Sequence, residues 1–116
     1  MSKRDYKIFL EDIIESIDKI KSYTKNLTFY DFAQDSKTID AVVRNIEIIG
    51  EAAHQIPSDI MNKFKYIEWH KLKAIRNRIV HEYFGVDYSI IWEIIQNDID
   101  LLRSNIKDVL EHLQRE

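Results

Sequence analysis

The chain has 116 residues, 45% of them hydrophobic and 32% charged, with a formal net charge of −3 and no cysteine. That length fits one domain spanning residues 1–116, and the balance reads as soluble and globular with a real core. The lack of cysteine excludes disulfides, thiolate metal sites and cysteine nucleophiles, and favours the cytoplasm for a domain this small.

Two glycines and one proline are too few for the turns of a sheet protein, so composition points to helices. The N-terminal stretch from Met1 to Tyr6 is not that of a signal peptide. No apolar run approaches the roughly 20 residues that span a bilayer.

In chain order, Tyr6, Leu10, Ile13, Ile17 and Ile20 form a stripe on a helix from about Asp5 to Thr24, and Asn26-Leu27-Thr28 breaks it. Thr28 reads as the N-cap of one or two turns from Phe29 to Gln34. A second main helix follows from about Ser36 to Gln55, on Ile39, Val42, Val43, Ile46, Ile49, Ala53 and Ile56. Gly50 falls on this face, where glycine costs about 1 kcal/mol relative to alanine and so suggests close approach of a neighbouring backbone. Pro57-Ser58-Asp59 ends that helix and starts a short one through Phe64. The third main helix runs from about Trp69 to near Tyr83, with Gly85 as its stop. Asp87 or Ser89 caps a fourth, carried to about Gln114 by Ile91, Ile94, Ile95, Leu102, Ile106, Val109 and Leu113. These elements predict an all-α fold, an up-and-down four-helix bundle with one or two additional short helices.

Charge is unevenly spread. Between Lys63 and His81, the six bases Lys63, Lys65, Lys71, Lys73, Arg76 and Arg78 face the single acid Glu68, a local balance of +5 that leaves −8 for the remainder. A solvated helix face is the plain account of such an island, and local attraction of a polyanion is the functional one.

Around the third main helix, Leu72, Ile75 and Ile79 define the core face. Arg76 and Tyr83 lie on or beside it, whereas Asn77 and His81 lie opposite, so Arg76 and His81 are about 140° apart. A guanidinium beside the core needs partners to offset desolvation. Either the helix unwinds near Gly85 or a second copy completes the site across a two-fold axis. The residue types suit RNA cleavage without a metal. An imidazole takes the 2′-hydroxyl proton and an imidazolium protonates the leaving oxygen. A guanidinium holds the phosphate, and a carboxamide such as Asn77 orients it or the histidine. Spacing alone, however, favours a structural arginine and a surface histidine.

The stretch Trp69-His70-Lys71-Leu72-Lys73-Ala74-Ile75-Arg76-Asn77-Arg78-Ile79-Val80-His81-Glu82-Tyr83-Phe84-Gly85-Val86-Asp87 resembles the signature of the HepT-like branch of the HEPN superfamily. Ile48-Ile49-Gly50-Glu51-Ala52 before it and Ile91-Trp92 after it match in the same order. The resemblance implies a helical-bundle homodimer whose Arg-x4-His motifs face one cleft and cleave RNA without metal or other cofactor. Arg76 and His81 would then be catalytic and Asn77 auxiliary. From the charge of the basic island, Lys71, Lys73 and Arg78 are the expected RNA contacts. It also implies a partner, a minimal nucleotidyltransferase antitoxin that transfers AMP from ATP to Tyr83. AMP would bring bulk and negative charge to the cleft, blocking RNA and pairing with Arg76. Taken without the resemblance, Tyr83 reads as a core phenol.

Glu51 reads as a solvated charge, a partner for a basic residue or a cleft residue, with a structural part favoured. His54, His70 and His112 lack metal-ligand spacing, so no zinc site is expected. Trp69 and Trp92 read as core, although Trp69 beside the basic island also suits base stacking. No glycine-rich phosphate loop occurs, so the chain is not itself the nucleotidyltransferase. Two rival readings remain: a HEPN-like module that holds RNA or a nucleotide without cutting it, and a helical bundle that only docks another protein.

Overall fold

A computed structural model describes residues 3–82 and 88–115, with side chains described for 6–77 and 88–115. The described residues form seven helices and no strand: α1 (Lys3–Thr24), α2 (Phe29–Gln34), α3 (Ser36–His54), α4 (Ser58–Lys63), α5 (Trp69–Glu82), α6 (Tyr88–Asn97) and α7 (Ile99–Arg115). The fold is all-α, as the periodicity predicts. Gly85 and Tyr83, the expected helix stop and modification site, lie outside the described residues, as do the side chains of Arg78, Ile79 and His81.

α3 is the centre of the bundle, packed against α1 on one side and α5 on the other, while α7 lies along α1. The stripe of α1 is fully used: Leu10, Ile13, Ile17 and Ile20 are 0% exposed and Tyr6 2%. They meet Val42, Ile46 and Ala53 of α3 and Ile106 and Val109 of α7 in one core. Burying an Ile or Leu side chain stabilises by about 1.5–3 kcal/mol, so this stripe is a large part of what holds α1 on the bundle. On the outer surface, the Arg103 Nε and Nη2 donate to Asp18 at 2.7 and 3.3 Å, tying α7 to α1. That fork holds the Arg103 guanidinium above its ordinary pKa.

Polar residues set the helix ends. α1 stops where Asn26 turns to φ 65°, a left-handed conformation that asparagine tolerates. Thr28 then caps α2 in a reciprocal box: its hydroxyl accepts from Asp31 N at 3.1 Å, and Asp31 accepts from Thr28 N at 3.2 Å. Asp35 caps α3, accepting from the Thr38 amide at 3.0 Å and its hydroxyl at 2.6 Å. These bonds hold the Asp35 carboxyl below its ordinary pKa.

One expected element divides. The helix predicted from Asp87 or Ser89 to Gln114 breaks at Asp98 into α6 and α7. Asn97 and Asp98 are weak helix formers whose side chains compete for backbone bonds. The ladder nearly survives, with Asp98 N to Ile94 O at 3.0 Å and Leu102 N to Asp98 O at 3.2 Å. Ile91, Ile95, Ile99, Ile106, Val109 and Leu113 are buried in register on both sides of the break.

Candidate functional site

Trp69 anchors the start of α5. It is buried, and its indole Nε1 donates to Phe64 O at 3.2 Å, so it is core rather than a free stacking platform. Trp92 is half-buried, its ring centroid 5.2 Å from that of Phe32. Beyond Trp69, α5 is poorly covered: Leu72 and Ile75, the expected core face, are only half-buried at the edge of the core. They line an apolar groove with Tyr66, Ile94 and Leu102.

Arg76 turns instead toward α3. A Cβ added to Gly50 would collide with the Cβ and Cγ of Arg76. The expected close neighbour of Gly50 was a backbone; the structure shows the stem of Arg76. Glycine is required here because an arginine occupies the space that any other side chain would fill.

The guanidinium is held at both ends. Nη2 donates to Oε1 of Glu51, and Nη1 donates to Oδ1 of Asn77 at 2.9 Å. Nε is buried and has no hydrogen-bond partner. The side chain of Arg76 is 31% exposed and that of Glu51 55%. A pair this open contributes at most about 1 kcal/mol, so its effect lies in orientation rather than stability.

Gly50, Glu51, His54, Lys73, Arg76 and Asn77 surround a surface hollow of about 420 Å³. Its lining holds two permanent cations, one carboxylate and an imidazole, a net attraction for a phosphate. The expected site residues are thus only partly gathered. Arg76, Asn77 and Lys73 share the hollow. Lys71 does not: it lines the apolar groove and pairs with Glu68 at 3.8 Å. Lys71 and Lys73 are about 160° apart around α5, so the basic island is divided between two sides of one helix.

α5 is helical without interruption from Trp69 to Glu82. The backbone positions of Arg76 and His81 are therefore about 140° apart around one axis, whatever the chain does beyond Glu82. Unwinding near Gly85, one of the two ways expected to bring them to one point, falls outside the described residues.

The sequence singles out Gly50 and Arg76 separately and favours a structural part for Glu51, with partnership to a basic residue among its readings. Their contact joins two helices, and nothing in the spacing within either helix announces it. His54 drew attention only for its lack of metal-ligand spacing, but it belongs to the same hollow. The signal available was the run Gly50-Glu51 with His54 one turn on, all on the side of α3 that α5 covers.

A family model described as "Ribonuclease HepT-like" matches residues 13–109. A protein of Methanocaldococcus jannaschii named "Putative RNase" is 40% identical over 113 residues, covering 94% of this chain and 93% of that protein. A second of the same name and organism is 38% identical, covering 98% of this chain and 94% of its own length. "Probable ribonuclease HepT" of Thermococcus cleftensis is 40% identical over 105 residues, covering 90% of this chain and 96% of that protein. No solved structure is a significant match.

Proposed function

Because the chain belongs to the HepT-like family of ribonucleases, we propose that it is a metal-independent endoribonuclease toxin. In this reading it works as a homodimer and is silenced by AMP transfer to Tyr83 from a minimal nucleotidyltransferase antitoxin. The observation that carries the reading is the seating of Arg76: a half-buried guanidinium, propped on Gly50 and held by Glu51 and Asn77 over a cationic hollow. A surface arginine kept only for solubility needs no such seat.

The chemistry is an in-line attack. The RNA 2′-oxygen bonds to the adjacent phosphorus as its proton passes to an imidazole of His81. The bond to the 5′-oxygen breaks, and an imidazolium supplies that oxygen with a proton, leaving a cyclic phosphate. Arg76 offsets the charge that grows on the non-bridging oxygens, with Asn77 holding the guanidinium. Arg76 and His81 lie on different sides of α5, so the site draws them from two copies facing across a two-fold axis. Lys73 and Arg78 guide the RNA backbone. No helix of the described residues is long and apolar enough to cross a membrane, and the cytoplasm, where RNA and an antitoxin meet the chain, is its proposed location.

Silencing follows the same electrostatics. The Tyr83 hydroxyl attacks the α-phosphorus of ATP, pyrophosphate leaves, and the bound AMP places a phosphate where RNA would lie.

Purified chain should cut single-stranded RNA in excess chelator. Arg76→Ala should slow cutting by about 10²–10³-fold and His81→Ala by about 10²–10⁴-fold. RNA bound but left intact would establish the non-cutting module instead. Intact mass after incubation with ATP and the nucleotidyltransferase should rise by whole AMP groups, and Tyr83→Phe should stay unlabelled. Equal labelling of that variant would remove Tyr83 from the scheme.

A further inference from the structure

We propose that Glu51 is the positioning residue for Arg76: its carboxylate, together with the gap at Gly50, fixes the direction in which the guanidinium meets phosphate. The inference rests on the reading of Arg76 as the phosphate-holding group.

Three observations carry it. First, the pair is too exposed to serve stability to any useful extent, at 31% and 55% for the two side chains. Second, a carboxylate at the edge of an anion-attracting hollow opposes RNA. Its presence there requires an offsetting gain, and the gain is geometric. Third, the guanidinium is constrained from three sides. Gly50 leaves room for its stem, Glu51 takes Nη2 and Asn77 takes Nη1.

The donors left over agree. Nε is buried, so its N–H is turned away from any incoming RNA. Each terminal nitrogen carries two N–H groups. Glu51 and Asn77 use one on each, which leaves one N–H on each terminal nitrogen for phosphate oxygens. Without Glu51 the guanidinium swings on its stem, and the pair no longer points one way.

The test compares wild type, Glu51→Gln, Glu51→Ala and Arg76→Lys of the full chain. Cleavage is followed on a short single-stranded RNA, and binding on its uncleavable 2′-O-methyl analogue. Glu51→Ala should lower kcat by about 10- to 100-fold through misdirection of the guanidinium. Affinity for the analogue should hold or tighten, because a negative charge has gone. Glu51→Gln, which can still accept from Nη2, should retain more activity than Glu51→Ala. An unchanged or increased kcat overturns the proposal, as does a parallel loss of kcat and affinity.

A second readout needs no cleavage. The Arg76 Nε–H resonance, assigned by its loss in Arg76→Lys, should be slow to exchange in wild type and averaged with solvent in Glu51→Ala. An unchanged resonance overturns the positioning role by itself. If Arg76→Lys cuts RNA as fast as wild type, or if wild type does not cut, the phosphate-holding reading of Arg76 fails, and the resonance still decides the part played by Glu51.

Discussion

At the scale of single residues, Gly50 and Arg76 define one another. The atoms a Cβ would meet are the first two carbons of the Arg76 stem, not its flexible end. Gly50→Ala must therefore push α5 away from α3 or turn Arg76 out of its seat. Overpacking of this kind costs about 1–3 kcal/mol, and urea unfolding should show a lower midpoint for that variant. An unchanged midpoint would mean that Arg76 moves freely, contrary to a seat. In the core, Ile106→Ala should cost about 2–5 kcal/mol, since Ile106 is fully buried on α7, which packs against α1. The sequence shows that Gly50 sits on a buried stripe and that Arg76 needs partners. It does not show that each answers the other, because the contact joins helices whose relative placement is set by packing rather than by period.

At the scale of elements, short polar side chains decide where helices begin. Thr28→Ala should cost about 1 kcal/mol through loss of the capping box. Asp35 supplies a pH-dependent version of the same device. Its folded pKa is lowered from the ordinary 3.8 by bonds to Thr38. The carboxylate's contribution is therefore complete above that ordinary value and is lost as pH falls through the lowered one. The midpoint difference between wild type and Asp35→Ala should be constant from pH 7 to about pH 5, then shrink on further acidification. A difference that persists at pH 2 would assign the effect to something other than the ionised cap. Thr28 was legible as a cap from the sequence. The break at Asp98 was not, because the apolar stripe runs through it in register. Hydrophobic spacing reports which face is buried and is silent about a ladder interrupted at one residue. Two polar residues in succession, Asn97 and Asp98, were the only local sign.

At the scale of the whole molecule, the question is how one helix would serve the proposed site from two opposed positions. The bundle was legible almost throughout, since each helix carries its own stripe. The proposed site is readable in the sequence as a motif but not as a place: an angular projection puts Arg76 and His81 apart, and the uninterrupted α5 keeps their backbone positions apart. If two copies build the cleft, mixing inactive Arg76→Ala and His81→Ala chains should restore activity. With random exchange in a symmetric dimer that pools Arg76 and His81 from opposite copies, about a quarter of the sites regain both groups. No recovery after demonstrated exchange of chains would assign both groups to one copy. The division of the basic residues across α5 has a consequence for ionic strength. Binding of a single strand releases counterions, and each neutralised phosphate adds about 0.7 to the slope of log affinity against log salt. Lys73, beside Arg76, should contribute such a step, and Lys71, turned to the groove beside Glu68, should contribute none. Two lysines two positions apart thus become a compass: replacing each by alanine and titrating salt tells from which side of α5 the strand arrives.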